Sequence, residues 1–500
     1  QLPSPDRFAN LVVADHLSPD VMRVLRPYGG AACVRQSGAW EITRKGPLEG
    51  AGEWTHGLGN SGNTACTMDR HVHGDLELQW FGAPGPSAMA DRHHRNVAPL
   101  CKDGHLFIPG DDHLFAVDAY NGTPLWQRHL PGSLRLGAFL DCSNIAVDTS
   151  SLYLVSGDKC LVLDVANGNT RREISLPQLG GDRHSWGYVA TMGKVLVGSG
   201  RKTNATYSEQ SRAADNELWY DNMSLVTSDY LFGADPATGK ILWTYKSGLL
   251  LNTSLTLGAG RVYFLETHSP KALEGKLGRM PMQAFSGGPN FLTALDVETG
   301  LQVWRREVTL DDCQHIAYLS YADGKLVLSG NKYIEKKLWY FIYGIEAGSG
   351  KRVWAQSANS GFSPRGGHGE QNRHPTIVDD VVYAWPRAFN LHDGAPVEGW
   401  HFLRQGHGCG NISASADSVF WRGGNPWQRS LSARGQQQRI NSITRPGCWI
   451  NMIPAGGLLL VPEASSGCTC AFPMQTSLAY TAKKGEKPSS PRTGPGGGKR

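Results

Sequence analysis

Four histidines occupy similar positions relative to turn-forming residues spread along the chain. Each stands about six to ten residues before a predicted turn, and they are His94, His184, His315 and His374. If each turn is the first of a repeated unit, the four side chains face the same end of the fold. Converging imidazoles are common ligands of transition metals and act as acid–base groups near neutral pH. The sequence therefore predicts a catalytic cluster or a site for a divalent transition metal. The alternative is that each imidazole bonds a nearby carbonyl in a polar loop.

Arginines accompany three of these histidines. They are Arg92, Arg95, Arg183 and Arg373. A guanidinium group binds a carboxylate or another oxyanion through two parallel hydrogen bonds. This pattern favours a site for an acidic sugar or another anionic small molecule. The alternative is that the arginines cap loops and pair with Asp91 and Asp182.

Aromatic and amide side chains complete the predicted site. Tyr188 and Trp449 could stack on a sugar ring, and Asn252 and Asn451 stand at the same offset in other repeats. The residues predicted to be catalytic are His94, His184, Tyr188, Arg95 and His374. Those predicted to bind substrate are Arg92, Arg183, Arg373, Asn252, Trp449 and Asn451.

Four of the ten cysteines lie near the end of the chain in glycine-rich surroundings. They are Cys409, Cys448, Cys468 and Cys470. Two disulfides, a metal–thiolate site in which Cys-x-Cys supplies two ligands, and unpaired buried thiols are the three interpretations.

A repeat must position these residues. Its pattern is an apolar strand, an Asp or Glu, a Gly four residues later and a Trp after four more. It occurs at 114–126, 231–243, 292–304 and 342–354, with a shorter copy at 160–168 and a worn one at 391–400. The acidic side chain can bond the turn backbone, Gly supplies positive φ, and the aromatic ring packs between neighbouring sheets. This predicts a β-hairpin in each copy.

The intervals between copies suit one four-stranded blade each. With two further hairpins near 413–421 and 453–461, the sequence predicts an all-β, eight-bladed propeller over 76–482. The strand 76–81 should close the ring by pairing with the last sheet, which removes an open edge. We expect an α/β segment at 1–45, a lid or linker at 46–75 and a disordered tail at 483–500.

The motif Ala-x-Asp-x-x-x-Gly-x-x-x-Trp resembles the PQQ-like repeat of quinoprotein alcohol dehydrogenases and of the outer-membrane assembly propeller lipoprotein. The segments 53–56, 91–95, 118–122 and 445–470 are similar to planctomycete-type proteins named for a PQQ-binding-like propeller. Residues 10–34 resemble the last strand–helix–strand segment of a methyltransferase, but the glycine-rich cofactor loop of that fold is missing. The chain also lacks the vicinal cysteines of the dehydrogenases, so PQQ is not the expected cofactor.

Composition narrows the partners. The chain has 49 basic and 44 acidic residues, and the basic residues form no stripe, which argues against nucleic acid. No apolar run is long enough to span a bilayer. A periplasmic or secreted location is expected, and the sequence does not predict an oligomeric state.

Three functions follow from these residues. The first is an enzyme acting on an acidic polysaccharide, by β-elimination at the channel mouth. The second is an oxidoreductase that uses PQQ or copper. The third is a non-catalytic propeller that binds a protein or a glycan.

Overall fold

The chain was analysed as a computed structural model. It describes residues 2, 4–90, 95–179, 181, 183–207, 223–361, 372–402, 410–432, 435–463 and 474–485. The helices among these residues are short, namely Pro19–Val24, Pro270–Leu273 and Met282–Ser286, with a 3₁₀ turn at Asn252–Ser254. None of them is long and apolar enough to cross a membrane. The rest is built from strands, so the predicted all-β class is confirmed.

Eight sheets of the described chain follow the blade pattern, each with its strands in antiparallel order from an innermost strand outward. Blade 1 contains Leu100–Lys102, His105–Pro109, His113–Asp118 and Pro124–His129. Blade 2 contains Ile145–Val147, Ser151–Ser156, Lys159–Asp164 and Thr170–Ser175. Blade 3 contains His184–Met192, Val195–Lys202, Tyr230–Ala234 and Ile241–Tyr245. Blade 4 contains Thr256–Gly258, Arg261–Thr267, Asn290–Asp296 and Gln302–Glu307, and its sheet is extended by Leu249–Leu251, Leu225–Ser228 and Arg279–Met280.

The second half of the ring continues this order. Blade 5 contains Ala317–Ala322, Lys325–Ile334, Lys337–Glu346 and Arg352–Asn359. Blade 6 contains Thr376–Val378, Val381–Ala384 and Arg387–Asn390. Blade 7 contains Ser413–Ala414, Ser418–Gly423, Asn425–Ser430 and Gln437–Arg439. Blade 8 contains Ile453–Ala455, Leu458–Val461, Ser477–Ala482 and Leu76–Gly82. These sheets are consistent with the eight predicted blades.

The last strand of blade 8 comes from the other end of the propeller sequence. Leu76–Gly82 pairs antiparallel with Ser477–Ala482, as predicted for the ring-closing strand. Within this strand Gln79 and Trp80 are buried while Leu78 and Phe81 are exposed, and the pairing contains a register shift between Ala479 and Tyr480. This pairing covers the outer edge of the third strand of blade 8, which would otherwise be open.

The repeat motif forms a latch between successive blades. In blade 4, Asp296 Oδ1 accepts a hydrogen bond of 2.9 Å from the Thr299 N–H, and Gly300 turns the chain with φ +69°. Trp243 of blade 3 donates its indole N–H to the Val297 carbonyl at 2.9 Å. A Cβ at Gly300 would lie only 2.5 Å from the Trp243 ring. The glycine is therefore required both by its φ and by the tryptophan that covers it.

The same tryptophan–glycine contact joins the other pairs of blades that keep the motif. They are Trp80 with Gly122, Trp126 with Gly168, Trp304 with Gly350 and Trp354 with Gly394. Blade 2 has Arg172 at the tryptophan position. Its Nη1 donates to the Thr238 carbonyl at 3.0 Å, and its stem packs near Gly239. The predicted roles of the Asp, Gly and Trp are confirmed, with one arginine substituted for a tryptophan.

Residues 52–69, which we call the plug, cross one end of the central channel. The plug forms backbone hydrogen bonds with the inner region of each blade in turn. In blade 1, Trp54 of the plug and Cys101 exchange two such bonds. The next six blades donate to it through the N–H groups of Val147, Thr191, Leu257, Tyr321, Ile377 and Ala414, and blade 8 through that of Gly456. The plug falls within the segment predicted as a lid. It seals the end at which the innermost strands finish.

The N-terminal unit lies at the same end as the plug. Its strands Leu11–Ala14 and Ala31–Gln36 are parallel, and Ala39–Arg44 pairs antiparallel with the second. Arg26 contacts the buried Asp118 of blade 1 at 2.8 Å, which fixes the unit to the propeller. The α/β character predicted for this segment is confirmed, whereas its origin as a methyltransferase remnant remains a prediction. Most of the tail, 486–500, lies outside the described residues.

Candidate functional site

Among the described residues, the channel above the plug contains a small cavity. A cavity of about 40 Å³ remains between the plug and the opposite mouth. Its wall includes Asn63 of the plug, Asp141 and Asn252 from the loops entering blades 2 and 4, and the aromatic residues Tyr318 and Trp449. At about 10–15 Å³ for each water, this space suits only a few solvent molecules.

Asp141 is the centre of a buried polar network beside this cavity. Its carboxylate accepts hydrogen bonds from Asn252 Nδ2 at 2.6 Å and Thr206 Oγ1 at 3.1 Å. Burial alone would raise the pKa of Asp141, but the charges of Arg135 and Arg201, together with hydrogen bonds from Asn252 and Cys142, hold the pKa below its ordinary value. Protein groups of this network therefore stabilise the ionised carboxylate of Asp141. Asn252, predicted to bind substrate, is committed to this network.

Three predicted residues meet in one aromatic cluster at the mouth. The Arg95 guanidinium lies 4.4 Å from the Phe139 ring centre, and Trp449 lies 5.8 Å from the same ring. Tyr318 links the cluster to His374, with ring centres 4.9 Å apart. Arg95, Trp449 and His374 therefore lie in one cluster, but all three are buried.

His374 is held as a neutral imidazole. Its Nδ1 lies 2.6 Å from the Pro375 carbonyl, so Nδ1 carries the proton, and Nε2 lies 3.4 Å from Ser320 Oγ. Burial lowers the pKa of His374 to about 4. This arrangement matches the alternative interpretation, in which a loop histidine forms a hydrogen bond with a neighbouring carbonyl.

His184 lies in a different place, at the open end between blades 2 and 3. Its Nε2 is 2.7 Å from Asp229 Oδ2, and its ring centre is 5.0 Å from that of Tyr230. His184 and Tyr230 border a groove of about 500 Å³ that Arg183 and Ser185 also line. This groove has the size of a small-molecule site, roughly 300–1,000 Å³.

Tyr188 does not reach this groove. It is 6% exposed and belongs to a hydrophobic cluster that includes Cys142 and Val197. Burial raises the pKa of its phenol far above the usual range. The strand from His184 twists through an irregular register between Trp186 and Val189, which carries Tyr188 into the core.

The other described candidates are spread over separate blades. His315 packs against Tyr333, with ring centres 5.2 Å apart. Arg373 donates to the Gly410 carbonyl and lies over the Trp385 ring at 4.7 Å. These contacts are made within the protein wall.

Asn451 and Cys448 occupy the loop before blade 8. Asn451 Nδ2 donates to the Pro462 carbonyl at 2.7 Å, and Arg422 Nη1 lies 3.0 Å from Cys448 Sγ. Six described cysteines carry free thiols, namely Cys33, Cys66, Cys101, Cys142, Cys160 and Cys313. The predictions for His94, Arg92, Cys409, Cys468 and Cys470 lie outside the described residues.

Metal and quinone cofactors were tested against the residues in place. Within the described ranges, no three or more His, Cys, Asp or Glu side chains form a metal-binding group. His184, His315 and His374 have different neighbours. PQQ needs a pocket of roughly 300 Å³ or more, and the channel cavity of about 40 Å³ does not fit it. The described residues therefore fit neither a metal ion nor PQQ in the channel.

Sequence reasoning missed Tyr230, which lines the groove, and Asp229, which pairs with His184. Asp229 and Tyr230 begin the third strand of blade 3, opposite Gly200 of the second strand. The sequence-based prediction includes only residues that precede the innermost strands. The third strand of a blade starts at the same end as the innermost strand. Polar residues at its start can therefore also lie at the open end.

The latches, the closing strand and the sealed channel define a β-propeller of PQQ-like repeats. The chain belongs to the family described as outer membrane protein assembly factor BamB, whose model matches residues 79–245 and 220–386. Among curated proteins, none matches this chain.

Similarity to a solved structure supports the propeller fold. A quinohemoprotein alcohol dehydrogenase from Comamonas testosteroni is 12% identical, with a TM-score of 0.53 over 88% of this chain and 82% of that one. BamB from Moraxella catarrhalis is 13% identical, with a TM-score of 0.36 over 64% and 76%. The designed protein Ika8 is 11% identical, with a TM-score of 0.46 over 82% and 100%. At this identity the first likeness establishes the fold alone.

Proposed function

We propose that the protein is a binding propeller that holds a partner protein through its N-terminal unit, in the periplasm or outside the cell. Family membership supports this, because the family is described as an assembly factor. The observation that carries the proposal is an uncovered apolar face on the N-terminal sheet.

Four large side chains form this face, which we call the apolar face. Leu11, Val13, Trp40 and Ile42 are between 57% and 64% exposed. The strand register puts Val13 level with Cys33 and Ile42, so these side chains share one side of the sheet. The helix covers the other side, where Val12 and Val34 pack with Leu25. Parallel strands are nearly always covered on both sides, so a partner is expected here.

Loss of apolar contact should test this surface. We expect Trp40→Ser with Ile42→Ser to weaken capture of a specific partner by about tenfold or more, since two large side chains leave the interface. Partners captured by the wild type and the double variant are compared, and affinity for the identified partner is then measured by calorimetry. Leu301→Ser is the matched control, because Leu301 is 70% exposed on the distant rim of blade 4. Equal binding by all three proteins contradicts the proposal.

Enzymatic action on an anionic carbohydrate is the second candidate function. One observation favours it, the pairing of His184 with Asp229 beside a groove lined by Arg183. A carbohydrate-active site would therefore lie between two blades and not at the centre of the channel. The PQQ- or copper-dependent alternative has no such support among the described residues.

A further inference from the structure

We propose that the groove between blades 2 and 3 is an acid–base site that cleaves a carboxylated sugar chain by β-elimination. This inference rests on the second candidate function and gives it a location, residue roles and a reaction. It is independent of the apolar face, which lies at the opposite end of the propeller.

The groove is built from the loops at the open end. Gly157 and Asp158 form the turn of blade 2, and Arg183 immediately precedes the innermost strand of blade 3. Thr203 Oγ1 donates to the Arg183 carbonyl at 2.9 Å, which fixes the backbone at that rim. With a volume of about 500 Å³, the groove can take a segment of two or three sugar units.

His184 is suited to act as the base. Asp229 accepts from its Nε2–H at 2.7 Å, which sets the tautomer and leaves the lone pair on Nδ1. Within the described chain, no hydrogen-bond partner of Nδ1 is found. The side chain is only 10% exposed, so its orientation is fixed by the wall of the groove. A carboxylate also stabilises the imidazolium that forms when His184 takes a proton.

Tyr230 is suited to act as the acid. Its ring lies against His184. The residue is only 1% exposed, but unlike Tyr188 it lines the groove, where its hydroxyl donates to the Pro177 carbonyl at 3.4 Å. Burial, together with the nearby Asp229, raises the pKa of Tyr230 to about 12. The phenol therefore keeps its proton at neutral pH and can donate it to a leaving oxygen. This role replaces the one predicted for Tyr188.

Charged groups on the rim indicate the class of ligand. Arg183 is exposed and can pair with a carboxylate in two hydrogen bonds. Asp158 faces the same groove, where a carboxylate can accept hydrogen bonds from sugar hydroxyls. One cation and one hydroxyl acceptor suit a uronate unit better than a neutral sugar.

The reaction balances within these residues. Arg183 neutralises the uronate carboxylate and so acidifies the neighbouring C5–H. His184 Nδ1 takes the C5 proton, the C5–H electrons form the C4=C5 double bond, and the C4–O4 bond breaks. Tyr230 protonates the leaving O4, and solvent then returns the proton from His184 to Tyr230. No oxidant or other co-reactant is consumed.

The full chain should be incubated with polygalacturonate, alginate and hyaluronan while the absorbance of the unsaturated product is followed. We expect product from at least one polymer. His184→Gln should lower kcat/KM by about a hundredfold or more, the usual effect of losing a general base. Tyr230→Phe should lower kcat with little change in KM, and Arg183→Ala should mainly raise KM. His113→Gln is the control, since His113 stands at the same end of blade 1 and, within the described part of the chain, its hydrogen-bond partner is the Asp111 carbonyl.

Calorimetry with the same polymers separates two kinds of failure. If a polymer binds, Arg183→Ala weakens binding and no product forms, elimination is wrong while carbohydrate binding stands. If no polymer binds, the second candidate function falls as well. Equal turnover by the wild type and His184→Gln overturns the assignment of the base. A circular dichroism spectrum of each variant confirms that it is folded.

Discussion

The two ends of the propeller differ in how completely their polar groups are hydrogen-bonded. At the plugged end, backbone groups of residues 52–69 are matched by the inner region of every blade, and the fully buried Asp69 is hydrogen-bonded. Within residues 52–69 of the described chain, Trp54 Nε1 is the buried side-chain polar atom without a partner. At the open end, His184 Nδ1 has no described partner and Asp229 Oδ1 is buried without one. Buried polar groups are normally paired. The plugged end is therefore the part that stabilises the ring, and the open end is the part available to a ligand.

Removing the Asp69 carboxylate should produce the largest effect. Asp69 Oδ2 accepts from the N–H groups of Gly52 and Gly457 at 2.8 and 2.7 Å, and Oδ1 accepts from His71 at 2.8 Å. Asp69→Ala leaves these buried donors unpaired, so we expect a loss of at least about 4 kcal/mol in the free energy of unfolding. Urea denaturation measures this loss.

The exposed Asp75 provides the control for that experiment. It contacts Gln438 and Lys483 at the surface, so Asp75→Ala should cost less than about 1 kcal/mol. A similar small loss in both variants would contradict the idea that the plug holds the ring together.

Acid should weaken the plugged end through His56. Burial lowers the pKa of His56 to about 4, although Asp148 opposes the shift, and Nε2 accepts the Thr191 N–H at 3.1 Å. The unfolded chain binds this proton near pH 6.5, whereas the folded chain resists it until about pH 4. Stability should therefore fall as pH falls from about 6.5 to 4, by about 3 kcal/mol for this group, and stay level above that range.

Urea midpoints between pH 4 and 8 test the pH dependence. The pKa of His374 is lowered in the same way, so the contributions of the two histidines to the loss of stability in acid add together. We expect His56→Gln to flatten the curve partly, and His16→Gln, an exposed change in the N-terminal unit, to leave it unaltered. A curve for His56→Gln that is parallel to the wild type would show that His56 is not responsible.

Glycine substitutions compare the two ends directly. Gly300 has φ +69° and a Cβ there would lie 2.5 Å from Trp243, whereas Gly157 in the groove has φ +60° and nothing within 4 Å. Gly157→Ala introduces backbone strain of about 1 kcal/mol. Gly300→Ala adds a steric clash and should cost about 2–3 kcal/mol in all. Equal losses, measured by thermal denaturation, would mean that the latch can relax around a methyl group.

The contrast also explains what the sequence could predict. The repeat specified the hairpins, the latch and the closing strand 76–82, because each depends on local turns and on a spacing that recurs. The channel site was only partly predicted. Counting back from a turn finds Arg95, His374 and Trp449, but the depth of each side chain depends on packing from other blades. The bulge that buries Tyr188 and the approach of Asp229 to His184 are tertiary features with no local pattern.

The smallest expected effect compares two arginines that look alike in the sequence. Arg172 replaces the tryptophan of the latch and donates to Thr238 at 3.0 Å across two blades. Arg183 is exposed on the groove and makes no such latch. Arg172→Ala should therefore cost about 1 kcal/mol, while Arg183→Ala should stay within about 0.5 kcal/mol of the wild type. If Arg183→Ala proved the more destabilising in urea, Arg183 would be a structural residue. Its proposed contact with a carboxylate would then lose its basis.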